Sequence, residues 1–275
     1  MKKFCFVVIL FCLFPFIISC SLKEKTPKHE LNSFEIAYSE EWLHSNLYEI
    51  GLGNYNLGKY VEGTFDSEFA TKKHAYLFYD NTESYHNTYL AVETENKVLF
   101  KRLSESYSDE LSVADIDGDK IDEIIVQSTV GMSGGAGSYL SRVFKVSENG
   151  IMEIFSSSTG ALFDTGFNSR LEKNYKMVIQ NRFTEYETTV DTEEKYLNIY
   201  YDKVGNVINS ESIWCDSFRT FLPKDMDNDG IFEIICVQYV SLNGHSDYIG
   251  DAESVIKFNS EIGMFEVIQA SFQPI

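Results

Sequence analysis

Two short stretches of the chain place acidic residues at one fixed spacing. Asp115, Asp117, Asp119 and Glu123 stand at positions 1, 3, 5 and 9 of the first, and Asp225, Asp227, Asp229 and Glu233 hold the same positions of the second. Carboxylates at alternate positions of a tight loop can all turn inward. Such a set of hard oxygens suits calcium, which takes six to eight oxygen ligands at about 2.3–2.6 Å. The backbone carbonyl at position 7, from Ile121 or Ile231, adds an oxygen, and the acid at position 9 closes the shell as a strand begins. Asn228, Asp229 and Gly230 tolerate the positive φ of a tight loop, and in the first loop Gly118 stands two positions earlier. Without a cation, carboxylates this close repel one another. The expectation is two structural calcium ions, one per loop.

A helix-flanked calcium hand is excluded, because it needs a bidentate Glu at position 12 and a following helix. Position 12 is Val126 in one loop and Cys236 in the other, both within β-type runs. Asp and Gly also favour plain solvated turns. Against that reading, the acid spacing occurs twice and each loop leads into Glu-Ile-Ile.

The likeness extends beyond the loops. After each comes a Gly-containing segment, Gly131 to Gly137 or Asn243 to Gly250, then a strand-like run, a turn with Gly150 or Gly263, and a last apolar run. Asp115 and Asp225 lie 110 residues apart. Two homologous halves follow, about 70–160 and 170–275. The stretch from Val113 through Asp115-Ile-Asp-Gly-Asp119 to Val126, with Ser133 to Phe144 downstream, resembles the FG-GAP calcium-loop repeat of integrin α-chain propellers and the related VCBS repeat. That resemblance implies calcium ligation by the eight acids. It also implies a propeller-like or degenerate β-propeller fold, since only two copies are present and the last acid is Glu where the family usually has Asp.

The rest of the pattern agrees with an all-β fold of antiparallel strands. Apolar runs recur at 74–80, 87–93, 97–103, 121–128, 138–146, 151–156, 176–183, 195–201, 207–214, 231–240, 252–258 and 263–269, with Gly, Asn, Asp and Ser between them. Aromatics reach 15%, which suits pleated surfaces. Tyr38 to Leu47 alone has helical spacing and predicts a short N-terminal helix.

The N-terminus reads as an export signal: Lys2-Lys3, an apolar run from Phe4 to Ile18, then Ile17-Ile18-Ser19-Cys20. The run is short for a membrane span, which needs about 20 apolar residues, and fits a cleaved leader. Its end resembles the bacterial lipobox. The resemblance implies removal of residues 1–19, acylation of Cys20, a flexible tether over 20–35, and a β domain over 36–275 on the extracytoplasmic face of a membrane. Several acyl chains anchor stably where one does not. The net charge of −19 argues against nucleic acid, whose phosphates need basic partners. It equally argues against electrostatic adhesion to anionic lipid. Cys215 and Cys236 remain outside the leader and anchor; export permits a disulfide, and two free thiols are equally ordinary.

Enzymatic motifs are sparse. Ala161 to Ser169 contains Asp164-Thr165-Gly166 and looks like one active-site segment of an aspartic protease, but that chemistry needs two such segments, and no second exists. There is no HExxH, Gly-x-Ser-x-Gly or P-loop among the residues. The leading expectation is a lipid-anchored, calcium-stabilised binding or adhesion module for a cell-wall glycan or envelope protein. A purely structural lipoprotein and a secreted hydrolase with an unrecognised site are the alternatives.

Overall fold

The computed structural model describes residues 33–36, 55–66, 71–80, 84–95, 97–131, 137–157, 163–192, 196–210 and 212–275. Among these residues the fold is all-β and no α-helix occurs. Four antiparallel sheets follow one another along the chain. The first contains β1 (Ser33–Ile36), β2 (Tyr55–Gly63), β3 (Lys73–Asp80), β4 (Thr88–Glu93) and β5 (Val98–Arg102), in the order β1-β5-β4-β3-β2. The second is a meander of β6 (Ser108–Ala114), β7 (Glu123–Gly131), β8 (Ser138–Ser147) and β9 (Gly150–Ser156). The third has three strands, β10 (Phe167–Glu172), β11 (Lys176–Asn181) and β12 (Glu187–Asp191). The fourth repeats the meander with β13 (Trp214–Lys224), β14 (Glu233–Ser241), β15 (Tyr248–Asn259) and β16 (Met264–Pro274).

The second sheet is packed on both faces, and its sequence says why. A strand buried on both sides reads as a continuous apolar run, and Glu-Ile-Ile-Val opens β7. Ile124, Val126, Phe144 and Val146 meet Ala75, Leu77, Leu90, Val92 and Leu99 of the first sheet. The alternate residues Ile125 and Val143, with Phe155, meet Phe218, Phe221, Ile234, Cys236 and Ile256 of the fourth. Phe155 is the hub of this second layer, with ring centroids 5.2 Å from Phe221, 5.0 Å from Phe265 and 5.4 Å from Phe163. A third cluster joins Met177 and Ile179 of β11 to Val240, Ala252 and Phe272 of the fourth sheet. The leading strands adjoin: β2 lies against β6, and β6 and β8 lie against β13.

β2 bends at a bulge between Leu57 and Lys59. A side chain at Gly58 would run into the Tyr79 ring.

Several expectations need adjusting. The duplicated unit is one four-stranded sheet, β6–β9 or β13–β16, narrower than half the chain. Among the described residues, the run at 195–201 forms no strand, and the run at 207–214 reaches one only at Trp214. Residues 196–210 form a tight excursion instead, in which Asp202 accepts the N–H groups of Val204 and Asn206, each at 2.9 Å. That turn drives Tyr196, Tyr200 and Tyr201 into the core beside the third and fourth sheets. Ser33–Ile36 pairs with β5, so the stretch expected as tether over 20–35 already includes strand. The expected helix from Tyr38 to Leu47 lies outside the described residues, as does Cys20.

Candidate cation-binding loops

Each acidic loop is the connection between the first two strands of its sheet, β6 to β7 and β13 to β14. The two have one backbone design. The residues at positions 4 and 6 are left-handed in both: Gly118 and Lys120 (φ 82° and 66°), then Asn228 and Gly230 (φ 62° and 87°). Lys120 adopts a conformation that side chains resist, because Asp115 holds it there. Asp115 Oδ1 accepts Gly118 N–H at 2.7 Å and Oδ2 accepts Lys120 N–H at 2.9 Å. In the second loop Asp225 accepts from Asp229 and Gly230 at 3.2 and 3.1 Å. Asp119 and Asp229 accept the N–H groups of Ile121 and Ile231 at 2.8 and 2.7 Å.

The position-nine acids are buried and tie the loop back on itself. Glu123 Oε2 accepts Ile116 N–H at 2.8 Å, and Glu233 Oε2 accepts Met226 N–H at 3.1 Å. Glu123 is wholly buried, and its Oε1 has no hydrogen-bond partner. Burial, aided by the charges of Asp117 and Asp119, pushes its carboxyl up to about 8, against the Ile116 N–H and the Lys145 charge. Asp115 is also raised, chiefly by burial, though the Gly118 and Lys120 N–H groups oppose it.

One oxygen from each of Asp115, Asp117 and Glu123 lies within 4.8 Å of the others, and Asp225, Asp227 and Asp229 converge in the same way. Thus three of the expected acids gather in each loop. Asp119 in the first and Glu233 in the second are drawn instead to lysines that the spacing of acids did not reveal. Lys145 Nζ lies 2.7 Å from Asp119 Oδ2 and 3.6 Å from Glu123 Oε1, and also contacts Asp117 Oδ2. Lys257 Nζ lies 2.6 Å from Glu233 Oε1 and 3.8 Å from Asp229 Oδ2. The readable signal was a lysine inside an apolar strand at the same place in both repeats, Phe144-Lys145-Val146 and Ile256-Lys257-Phe258. Antiparallel register sets each beside its position-nine Glu, since Ile124 pairs with Phe144 and Ile234 with Ile256.

The loops are also chained to one another. Phe232, at position 8 of the second loop, donates its N–H to Asp115 O at 2.8 Å, and Asp122, at position 8 of the first, donates to Thr64 O at 2.7 Å. Thr64 N–H returns a bond to Asp122 Oδ2 at 2.7 Å. Thr64, just after β2, therefore holds the place of Asp115 in the first sheet. Thr64 and the two acidic loops thus form one hydrogen-bonded series, Thr64 to Asp122 and Asp115 to Phe232. A donor set of converging carboxylates with an orphaned buried oxygen suits a hard divalent cation.

Other sequence features have structural work. Asp164 Oδ1 accepts Gly166 N–H at 2.8 Å, and the carboxylate pairs with Arg182 at the surface. Thr165 donates to Gln238 Oε1 at 2.7 Å, docking this turn on β14. Asp109, Ser106 and His86 meet, but not as a catalytic triad. Asp109 Oδ2 accepts directly from Ser106 Oγ at 2.7 Å and lies 3.5 Å from the same His86 Nε2 that faces Ser106. In a triad the acid orients the opposite ring nitrogen. Cys215 and Cys236 are free, and burial pushes the Cys215 thiol up to about 12 and Cys236 well above its ordinary value.

A family model described as the YybI C-terminal domain matches residues 165–273, from the Asp164 turn through nearly all of the fourth sheet. The "Uncharacterized protein YybI" of Bacillus subtilis (strain 168) is 28% identical over 168 residues, 58% of this chain and 61% of that protein. The match thus spans less than two thirds of that relative. No solved structure matches.

Proposed function

We propose that this chain is a lipid-anchored extracytoplasmic binding module, built on an incomplete β-propeller whose two acidic loops take structural calcium. Cys20 carries the anchor. Asp115, Asp117 and Glu123 in one loop, and Asp225, Asp227 and Asp229 in the other, hold the ions. Calcium would neutralise the converging carboxylates and so fix the hairpin between each sheet's first two strands. The observation that carries this reading is the duplicated acidic hairpin, placed at the same end of consecutive stacked sheets and chained by backbone hydrogen bonds. Meandering four-stranded sheets with adjoining leading strands are the blade arrangement of propellers.

Binding rather than catalysis is supported by aromatic residues held at the surface. Trp214 is 55% exposed beside His245, their ring centroids 4.9 Å apart. On β13–β15, Arg219 lies over Tyr239, which meets Tyr248 edge to face. Such rings suit a sugar or a protein partner. To test the reading, cells expressing the chain or Cys20→Ala are fed labelled palmitate and fractionated. The native chain should take label and sediment with membranes, and Cys20→Ala should do neither. The full chain, immobilised with calcium, should then retain purified wall glycan or an envelope protein. Equal membrane partition of both forms, together with retention of neither ligand class, contradicts the reading.

A further inference from the structure

Lys145 and Lys257 are the only strand-borne cations that both repeats place against their acidic loops among the described residues. Their chemistry is unexpected there. A loop that depends wholly on a metal has no use for a permanent positive charge at its centre, since the ammonium repels the incoming ion. Here the ammonium of Lys145 contacts Asp117, Asp119 and Glu123 at once. Lys145 stands between Phe144 and Val146 of β8, and its side chain is partly buried. The only buried carboxylate oxygen of the first loop without a hydrogen bond, Glu123 Oε1, faces it at 3.6 Å.

We propose that Lys145 and Lys257 are the resident cations of the two loops: each ammonium takes the role of a divalent ion, the loop assembles without metal, and any metal must displace it. The second loop is the more open to exchange. Lys257 is committed to Glu233 at 2.6 Å and stands 3.8 Å from Asp229, while Asp225, Asp227 and Asp229 still converge. In the first loop Lys145 touches two of the three residues that converge there, Asp117 and Glu123.

Each ammonium sits among the carboxyl groups of its loop, Lys145 beside Asp117, Asp119 and Glu123 and Lys257 beside Glu233 and Asp229. A tethered cation also costs less entropy to place than a free ion.

The displacement part rests on the calcium reading above, and the test separates the two. Full-length chain, Lys145→Met and Lys257→Met are melted in EDTA and in saturating calcium, and titrated with calcium chloride by calorimetry. In EDTA each variant should melt lower by several degrees, at about 2–4 °C per kcal/mol lost. Lys145→Met should lose more. Calcium should restore both variants, and the affinity of the altered loop should tighten about tenfold or more, the scale of one close charge pair at partial burial. Adding Asp119→Asn to Lys145→Met should recover the melting temperature in EDTA, because one negative charge leaves with the positive one.

If neither the native chain nor the variants respond to calcium, yet the loss in EDTA and its rescue persist, the lysine proposal stands and the calcium reading falls. If the native chain is calcium-stabilised and the variants melt with it in EDTA, the lysine proposal falls alone. Unchanged calcium affinity in the variants also overturns it. Should Lys145→Met fail to fold, the Asp119→Asn pair decides: a folded pair supports the charge role, and an unfolded pair assigns Lys145 to packing.

Discussion

Glu123→Gln is the sharpest perturbation of the first loop, because it removes one charge and almost no volume. The carboxyl is raised to about 8 from an ordinary 4.5, chiefly by burial. The native state therefore keeps a proton there that the unfolded chain releases above pH 4.5. Unfolding then releases a proton across the window from about 4.5 to about 8, so stability falls as pH rises through it. Each pH unit of that window is about 1.4 kcal/mol, which caps the loss at roughly 5 kcal/mol. The pull of the Lys145 ammonium, 3.6 Å from Oε1, is already part of that balance, so a loss of about 3–4 kcal/mol is expected between pH 5 and 8. Gln stays neutral throughout and can still accept from Ile116 N–H. In EDTA, urea denaturation of the native chain from pH 5 to 8 should show falling stability, whereas Glu123→Gln should give a flatter profile and be the more stable protein at pH 8. Parallel profiles for the two proteins would refute the reasoning, because the proton lost on unfolding would then belong elsewhere.

Four further substitutions probe the scaffold. Phe155→Ala empties the centre of the layer between the second and fourth sheets, where three Phe rings meet it; it should cost about 3–5 kcal/mol in urea denaturation, and a loss under 1 kcal/mol would deny that layer its role. Gly118→Ala and Gly230→Ala both force a side chain into left-handed backbone, but only at Gly118 does the new Cβ meet a neighbour, Ile231 Cδ1 at 2.8 Å. Gly230→Ala should therefore cost about 1 kcal/mol and Gly118→Ala about 2, and equal melting temperatures would contradict the close approach of the loops. Thr165→Val leaves Gln238 Oε1 without its donor and should destabilise by about 1–3 kcal/mol, seen as a lower urea midpoint with unchanged slope; no shift would show that this turn is not docked through Gln238.

Much of this was legible in residue order. Glu-Ile-Ile at the start of β7 is buried on both faces, and at the start of β14 all but Ile235 is fully buried; continuous apolar runs announce such strands. The same two loops announced themselves by acid spacing alone. What escaped was the alternating and polar strand. β2 reads Tyr-Asn-Leu-Gly-Lys-Tyr-Val-Glu-Gly with alternate residues exposed, and β10 and β12 are short and mostly polar. β13 carries Arg219, Pro223 and two bulges, so its period slips along the strand. The excursion at 196–210 was mistaken for strands because its tyrosines are apolar in pattern, while the Asp202 turn that folds it was overlooked. Lys145 and Lys257 were missed for a different reason. β8 holds no acid, and the nearest in β15, Glu253, is four positions from Lys257, so only the register of β7 with β8 and of β14 with β15 supplies the partner. The place of Thr64 was invisible because Thr stands where the acidic loops have Asp, and its two bonds to Asp122 arise only from the fold.

The central claim is that the two acidic hairpins are cation sites that hold the stacked sheets together. Calcium titration of the full chain by calorimetry, paired with melting in EDTA and in about 10 mM calcium, tests it most directly. Binding is expected at two sites with dissociation constants of about 10⁻⁴–10⁻³ M, the range of extracellular modules. Such binding raises stability by about 1.4–2.7 kcal/mol per loop at that concentration, which moves the melting temperature up by several degrees. No heat of binding, with superimposable melting curves in EDTA and calcium, would contradict it.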